Sequence, residues 1–258
     1  MPILYVNGID LYYQSSGSGP AIVLTHGFSD SGALWHAQVE AFKDRYQVVT
    51  MDMRGHARSE SPVDPGLYTQ DQVVEDLRAV MDAAGVERAV VGGHSLGGYT
   101  SMRFYQRYPE RVRGLILSGT GPGYRKMKGA AGWTAMNEKS AVTLEKRGMD
   151  TEFDDREAGS GRHGGDTPIR HTVRGLVNVR RGVMRMPPLV ECTEIEAPTI
   201  VLVGENDEPF RGSSEYMAAK IPNATGPVVV AGASHWANYD DASTWNTAVE
   251  EFLQGLPD

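Results

Sequence analysis

The sequence predicts an α/β protein: a mostly parallel central sheet with helices on both faces and a helical cap inserted into it. Three observations carry that expectation. Short continuous apolar runs alternate with amphipathic helical patterns, which is the rhythm of parallel strands joined by crossover helices. Ser, His and Asp fall in the turns just after those runs, and in open sheets of this kind ligands bind beyond the carboxyl ends of the strands. The rhythm also breaks once and then resumes, so the expected division is a core of residues 1–120 and 191–258 with a cap at 121–190.

The elements follow in order. Ile3 and Tyr5, then Ile9, Leu11 and Tyr13 beyond Asn7-Gly8, read as a hairpin with an Asn-Gly turn. Residues 21–25 form an apolar run suited to a strand buried on both faces, and Leu34, Trp35, Val39 and Phe42 mark a helix over 33–43. A strand at 46–52 precedes a helix over 69–84, where Val73, Val74, Leu77, Val80 and Met81 recur at helical spacing, Thr69 or Asp71 caps the start and Gly85 ends it. Next come a strand at 89–93, a helix at 96–108 and a strand at 112–118. Residues 124–188 contain no strong strand, only helix-like pieces near 134–146 and 169–186 joined by a Gly-rich, charged stretch at 158–166. The rhythm returns with a strand at 197–204, a helix at 213–220, a last strand at 226–231 and a last helix at 242–253.

At 258 residues the chain suits one large domain or a domain with an insertion, and its ordinary apolar content supplies a core. The net charge of −8, with scattered Lys and Arg, argues against nucleic acid as a partner. Cys192 is the single cysteine, so an internal disulfide framework is excluded. The N-terminus lacks a basic region followed by an apolar run, and no apolar stretch is long enough to span a membrane. The expectation is a soluble, cytoplasmic protein with a small-molecule substrate and no membrane partner; the oligomeric state is not legible.

The chemistry centres on Gly93-His94-Ser95-Leu96-Gly97, set between a strand and a helix. Strand, sharp turn and helix with a serine at the apex form a nucleophile elbow. The apex brings neighbouring backbone close together, so glycines flank it. An alkyl hydroxyl needs a base to become a nucleophile at neutral pH. His235, after the last strand, is the natural base because imidazole titrates near neutrality. A carboxylate behind it fixes the tautomer. Asp207, after the strand before, fits that role, with Glu205 and Glu208 as competitors. Ser118-Gly119-Thr120 offers no acid. Among the other histidines, His94 lies inside the elbow with its side chain expected to point away from the nucleophile, His26 and His56 sit in turns where they can bond backbone, and His36, His163 and His171 show no partner pattern. An oxyanion needs two donors where charge develops. The N–H of Leu96 is one, and the N–H of Phe28, in His26-Gly27-Phe28, is the expected second.

Taken together, His26-Gly27-Phe28, Asp52-Met53-Arg54-Gly55-His56-Ala57-Arg58-Ser59, Gly93-His94-Ser95-Leu96-Gly97-Gly98, Asp207 and His235 resemble the α/β-hydrolase fold family, in its serine-nucleophile branch with a helical cap. The resemblance spans almost the whole chain in the family's order; Ala57 stands where the family usually has Gly, which touches no catalytic position. It implies acyl transfer through Ser95, His235 and Asp207 with no metal or organic cofactor. Dehalogenases and epoxide hydrolases of this family use an Asp nucleophile, so Ser95 argues against both. For a substrate, a small ester or lactone comes first, in the manner of an esterase or lactonase. Carbon–carbon bond hydrolases of dienoic ring-cleavage products use the same triad, and some proteins of this fold are small-molecule receptors or cofactor-free lyases or oxygenases. Trp133 and Trp236 are expected to contact substrate. The cap adds Met127, Met136, Met149, Met184 and Met186, apolar and adaptable, and Arg170, Arg174, Arg180, Arg181 and Arg185, either a solvated basic face or a holder of a substrate carboxylate.

Overall fold

The computed structural model describes residues 3–124, 126–154, 169–185 and 187–257. The chain runs through β1 (Ile3–Val6), β2 (Ile9–Ser16), β3 (Ala21–Thr25), α1 (His36–Phe42), β4 (Gln47–Met51), α2 (Gln70–Ala83), β5 (Ala89–His94), α3 (Leu96–Arg107) and β6 (Val112–Ser118). It continues through α4 (Met127–Glu145), β7 (Glu152–Asp154), β8 (Arg170–Thr172), α5 (Val173–Arg181), β9 (Thr199–Gly204), α6 (Glu208–Lys220), β10 (Ala224–Val230), α7 (Ala237–Asp240) and α8 (Ala242–Gln254). Eight strands form one sheet in the order β1-β2-β4-β3-β5-β6-β9-β10. The β1/β2 and β2/β4 pairs are antiparallel, and every pair from β4/β3 onward is parallel. The protein is thus α/β with a mostly parallel central sheet.

The apolar runs become the central strands because both their faces are covered. Successive side chains of a strand point to opposite faces. Val23, Val49, Val91 and Leu115 therefore pack with Val74, Leu77 and Val80 of α2 and Met102 of α3. Their neighbours Ile22, Leu24, Val48 and Ile116 pack on the other face with Phe42 of α1 and Trp245 and Val249 of α8. Each such aliphatic side chain contributes roughly 1.5–3 kcal/mol by leaving water. Helix α2 starts on a capping box: Thr69 Oγ1 accepts from Gln72 N at 3.2 Å, and Gln72 Oε1 accepts from Thr69 N at 3.1 Å. Gly85 follows it in the left-handed region at φ +70°, where its lack of a Cβ ends the helix.

The long interruption between β6 and β9 departs from the expected pattern. The helix expected near 134–146 begins earlier, as α4 at Met127. The piece expected as one helix over 169–186 divides into β8 and α5, and β8 pairs antiparallel with β7. Three-residue strands that bury one side chain each, Phe153 and His171, leave too little alternation to be read. The Gly-rich stretch at 158–166, His163 and Met186 lie outside the described residues. Helix α5 lies on the turn after β4, close enough that a Cβ on Gly175 would meet Gly55 C at 2.9 Å, and Val179 packs with Met53 and Tyr68. No described helix is long and apolar enough to cross a membrane.

Candidate active site

Ser95 joins β5 to α3 at φ +53°, ψ −114°, a backbone state that costs an L-residue of order 1–3 kcal/mol and persists only when neighbours hold it. Here they do. Ser95 N donates to Ser118 O at 2.9 Å, Thr120 Oγ1 donates to Ser95 O at 2.7 Å, and Tyr99 N donates to the same carbonyl at 3.1 Å. The flanking glycines are steric necessities: a Cβ on Gly93 would sit 2.6 Å from Thr25 O, and one on Gly97 would press into that same carbonyl and reach 2.7 Å from His26 O. The turn therefore abuts the end of β3 and the 26–28 loop.

Asp207 follows β9 and His235 follows β10, and the structure brings them together. His235 Nδ1–H donates to Asp207 Oδ2 at 2.8 Å, with the carboxylate buried and the imidazole part-exposed. This bond fixes the tautomer and leaves Nε2 as the basic nitrogen. Glu205 is engaged elsewhere, its Oε2 accepting from Gly232 N at 2.7 Å, and Glu208 is exposed at the start of α6. The imidazole is bracketed by Phe210, stacked with ring centroids 4.8 Å apart, and by His94 of the elbow at 4.4 Å. The His94 side chain, expected to point away from the nucleophile, thus packs directly on His235.

The 26–28 loop is fastened by His26. Its Nε2 accepts from Met53 N at 2.9 Å and its Nδ1–H donates to Gly27 O at 2.6 Å, so both nitrogens serve the backbone as the sequence suggests. Burial pulls its pKa down to about 3. His56 bonds Arg54 O through Nδ1 at 3.2 Å and is likewise held neutral, chiefly by burial. His171 does have a partner: its Nδ1 accepts from Ala57 N at 3.2 Å, tying β8 to the core. The Asp52–Ser59 turn is held by ion pairs. Arg54 bridges Asp76 of α2 at 2.6 and 2.7 Å with both side chains fully buried, and Arg58 Nε meets Asp52 Oδ2 at 2.7 Å. The amides of Phe28 and Leu96 donate to no acceptor among the described residues.

Ser95 and Leu96 line a cavity of about 210 Å³ together with Thr120, Pro122, Tyr124, Trp133, Met184 and Phe210. That is smaller than the ~300–1,000 Å³ typical of drug-sized ligands. Trp133 sits in its wall, with Nε1 donating to Met184 O at 2.7 Å. Trp236 is not among the residues lining it: its Nε1 donates to Asp30 Oδ2 at 3.1 Å and its ring faces His94. The indole packs beside His94 and His235, so it supports the imidazole and not the cavity wall. Thr120 and Phe210 went unnoticed, each a lone residue with no local pattern; Arg180 was named in the sequence only as one of a basic cluster. Cys192 is buried and its thiol is pushed up to about 11, which keeps it protonated at neutral pH. Among the described residues no group of three or more His, Cys, Asp or Glu is placed to hold a metal ion.

Comparison with known proteins agrees with this architecture. A family model described as an alpha/beta hydrolase fold matches residues 20–141. A protein of Azorhizobium caulinodans that bears the name of a carbamate hydrolase, RutD, is 38% identical over 117 residues, which is 45% of this chain and 43% of that protein. The match thus spans less than half of that relative's length. Among solved structures, a thermophilic esterase from Thermogutta terrifontis superposes with a TM-score of 0.77 at 24% identity, covering 98% of this chain and 96% of the esterase. The enol-lactonase from Burkholderia xenovorans LB400 gives 0.75 at 23% identity, covering 98% and 100%.

Proposed function

Since this chain belongs to the α/β-hydrolase fold family, we propose that it is a serine hydrolase cleaving a small carboxylic ester or lactone through an acyl-enzyme. The observation that carries this reading is the 2.8 Å bond from His235 to Asp207, made beside an elbow whose Ser95 lines a cavity. Ser95 Oγ attacks the substrate carbonyl carbon as His235 Nε2 takes its proton. Asp207 stabilises the imidazolium and does not itself take the proton. The tetrahedral oxyanion is received by the N–H groups of Leu96 and Phe28, the first of which also has the positive end of α3 behind it. His235 then protonates the leaving oxygen, which departs as an alcohol or, from a lactone, stays tethered to the acyl group. Water, activated by the same imidazole, releases the acid and restores Ser95.

Carbamates share the attacked carbonyl, so the assay includes them. p-Nitrophenyl acetate and butyrate, a lactone panel and a carbamate panel are compared by kcat/KM, and Ser95→Ala is expected to lose the activity while keeping its unfolding transition. No release above background from a folded wild-type protein, or full activity in Ser95→Ala, would overturn the reading.

A further inference from the structure

Arg180 stands near the end of α5 and is bonded unlike its neighbours. Arg174 pairs with Asp150, and Arg181 pairs with Glu138 and Glu145. Arg180 has no carboxylate partner among the described residues. Its guanidinium lies 3.7 Å above the centroid of the Phe28 ring, and its Nη1 donates to the amide oxygen of Asn137, Oδ1, at 2.8 Å. Its Nε is shut off from solvent and has no acceptor. Burial pulls the guanidinium down to about 10, with no neighbouring charge opposing it. A buried cation without a counter-charge is expensive, and an unmade hydrogen bond adds to that cost. A planar fork of N–H groups left in such a place matches a carboxylate in both charge and shape.

The position relates this cation to the site. Phe28, beneath the guanidinium, carries one of the two amides assigned above to the oxyanion. Val183 and Met184, just past the end of α5, line the cavity with Ser95, although Arg180 itself is not among its lining residues. A second, independent observation concerns charge. Residues 121–190 hold 13 Lys and Arg against 8 Asp and Glu, whereas the rest of the chain holds 12 against 25. Lys126 and Lys128 border a groove that shares Pro122, Gly123, Tyr124 and Ser213 with the cavity wall. Among the described residues of this segment Lys and Arg outnumber Asp and Glu by 10 to 5, an excess of positive charge on an otherwise acidic protein that favours anions.

We propose that the substrate bears a carboxylate separate from the scissile carbonyl, and that Arg180 is the residue that receives it. This rests on Ser95 being the nucleophile, and the experiment separates the two. Wild type, Arg180→Met and Arg180→Lys are assayed on mono-p-nitrophenyl glutarate and on p-nitrophenyl pentanoate, which has the same chain length without the charge. The readout is the ratio of kcat/KM for the acid over the neutral ester. Wild type is expected to favour the acid about 10- to 100-fold, the worth of one charged hydrogen bond; Arg180→Met should bring the ratio near one, and Arg180→Lys should fall between. Equal rates on both esters in wild type, or an unchanged ratio in Arg180→Met, overturns the assignment while leaving the serine mechanism standing. In parallel, glutarate itself is expected to inhibit wild type competitively and to raise its Tm but not that of Arg180→Met. Noncompetitive inhibition would put the anion in the separate groove between α4 and α5 that Arg180 borders with Glu138, Arg181 and Arg185, and would overturn the assignment. If neither ester is turned over, the Tm arm still decides the question for Arg180.

Discussion

Lowering the pH from 8 to 5 should destabilise this protein by about 2 kcal/mol through His26 alone. The ring is fully buried and both nitrogens are committed to the neutral form: Nδ1–H donates to Gly27 O, and Nε2 must stay unprotonated to accept from Met53 N. Burial is the main cause of its low folded-state pKa of about 3, and the nearby His171 and Arg58 push in the same direction. The unfolded chain titrates near 6.5. A folded pKa below the unfolded one means that stability is whole above about pH 6.5 and is lost as the pH falls toward 3. Between those limits each pH unit removes about 1.4 kcal/mol, giving about 2 kcal/mol at pH 5 and about 5 kcal/mol in the limit. His56 adds a loss of the same sign, because it is also buried and lies 5.0 Å from His26, ring to ring.

The assay is urea unfolding at pH 8 and pH 5, on wild type and on His26→Asn. pH 5 lies above the range in which Glu75, Glu138, Glu145 and Glu250, whose pKa values are lowered, take up protons, so the imidazoles dominate the difference. Wild type should lose at least about 2 kcal/mol, and His26→Asn should lose about 2 kcal/mol less than wild type does. Equal losses in the two proteins would refute the reasoning, because the proton would then be entering elsewhere.

Two further predictions concern the site and its support, beyond those attached to Ser95 and Arg180. Asp207→Asn should lower kcat by about 10³- to 10⁴-fold with little change in KM, since Asn leaves the imidazole in the wrong tautomer; steady-state kinetics on p-nitrophenyl butyrate measures it, and near-normal kcat would remove Asp207 from the triad. Arg54→Met should cost about 3–5 kcal/mol in urea unfolding by stranding the buried Asp76 carboxylate, and adding Asp76→Leu should recover much of it, whereas an additive loss in the double variant would show that the ion pair is not the source.

How far the sequence reached depended on how local each cause was. The central strands were legible because burial on both faces leaves an unbroken apolar run, as in β3 and β5. The elbow was legible because steric crowding at Gly93 and Gly97 forces a residue type: backbone atoms stand where those Cβ atoms would go. Asp207 and His235 could be found by looking at the ends of successive strands. The β7/β8 pair could not, because its stability comes from pairing across a gap in sequence and it buries only Phe153 and His171. Nor could the place of Trp236 outside the cavity lining. Its indole is bonded to Asp30, some two hundred positions earlier in the chain. Phe210 and Thr120 belong to the same class: single residues whose significance arises only when β6, β9 and β10 lie side by side.

The partners that hold Ser95 in its strained conformation come from β6, the turn after it and α3: Ser118, Thr120 and Tyr99. The wall facing it is built from residues 122–124, 133, 183–184 and 187, which come from the segment between β6 and β9. The geometry of Ser95 is thus held outside the inserted segment, while the pocket is shaped by both, since Tyr99 and Thr120 line it too. One contact between the two is Arg180 on Phe28, where the inserted segment touches the loop whose amide is assigned to the oxyanion. A substrate charge bound at Arg180 would sit on the segment side and still bear on the position of Phe28. Selectivity expressed there would reach the transition state through an aromatic ring, which would tie the choice of acyl group to the same loop proposed to stabilise the charge developing on it.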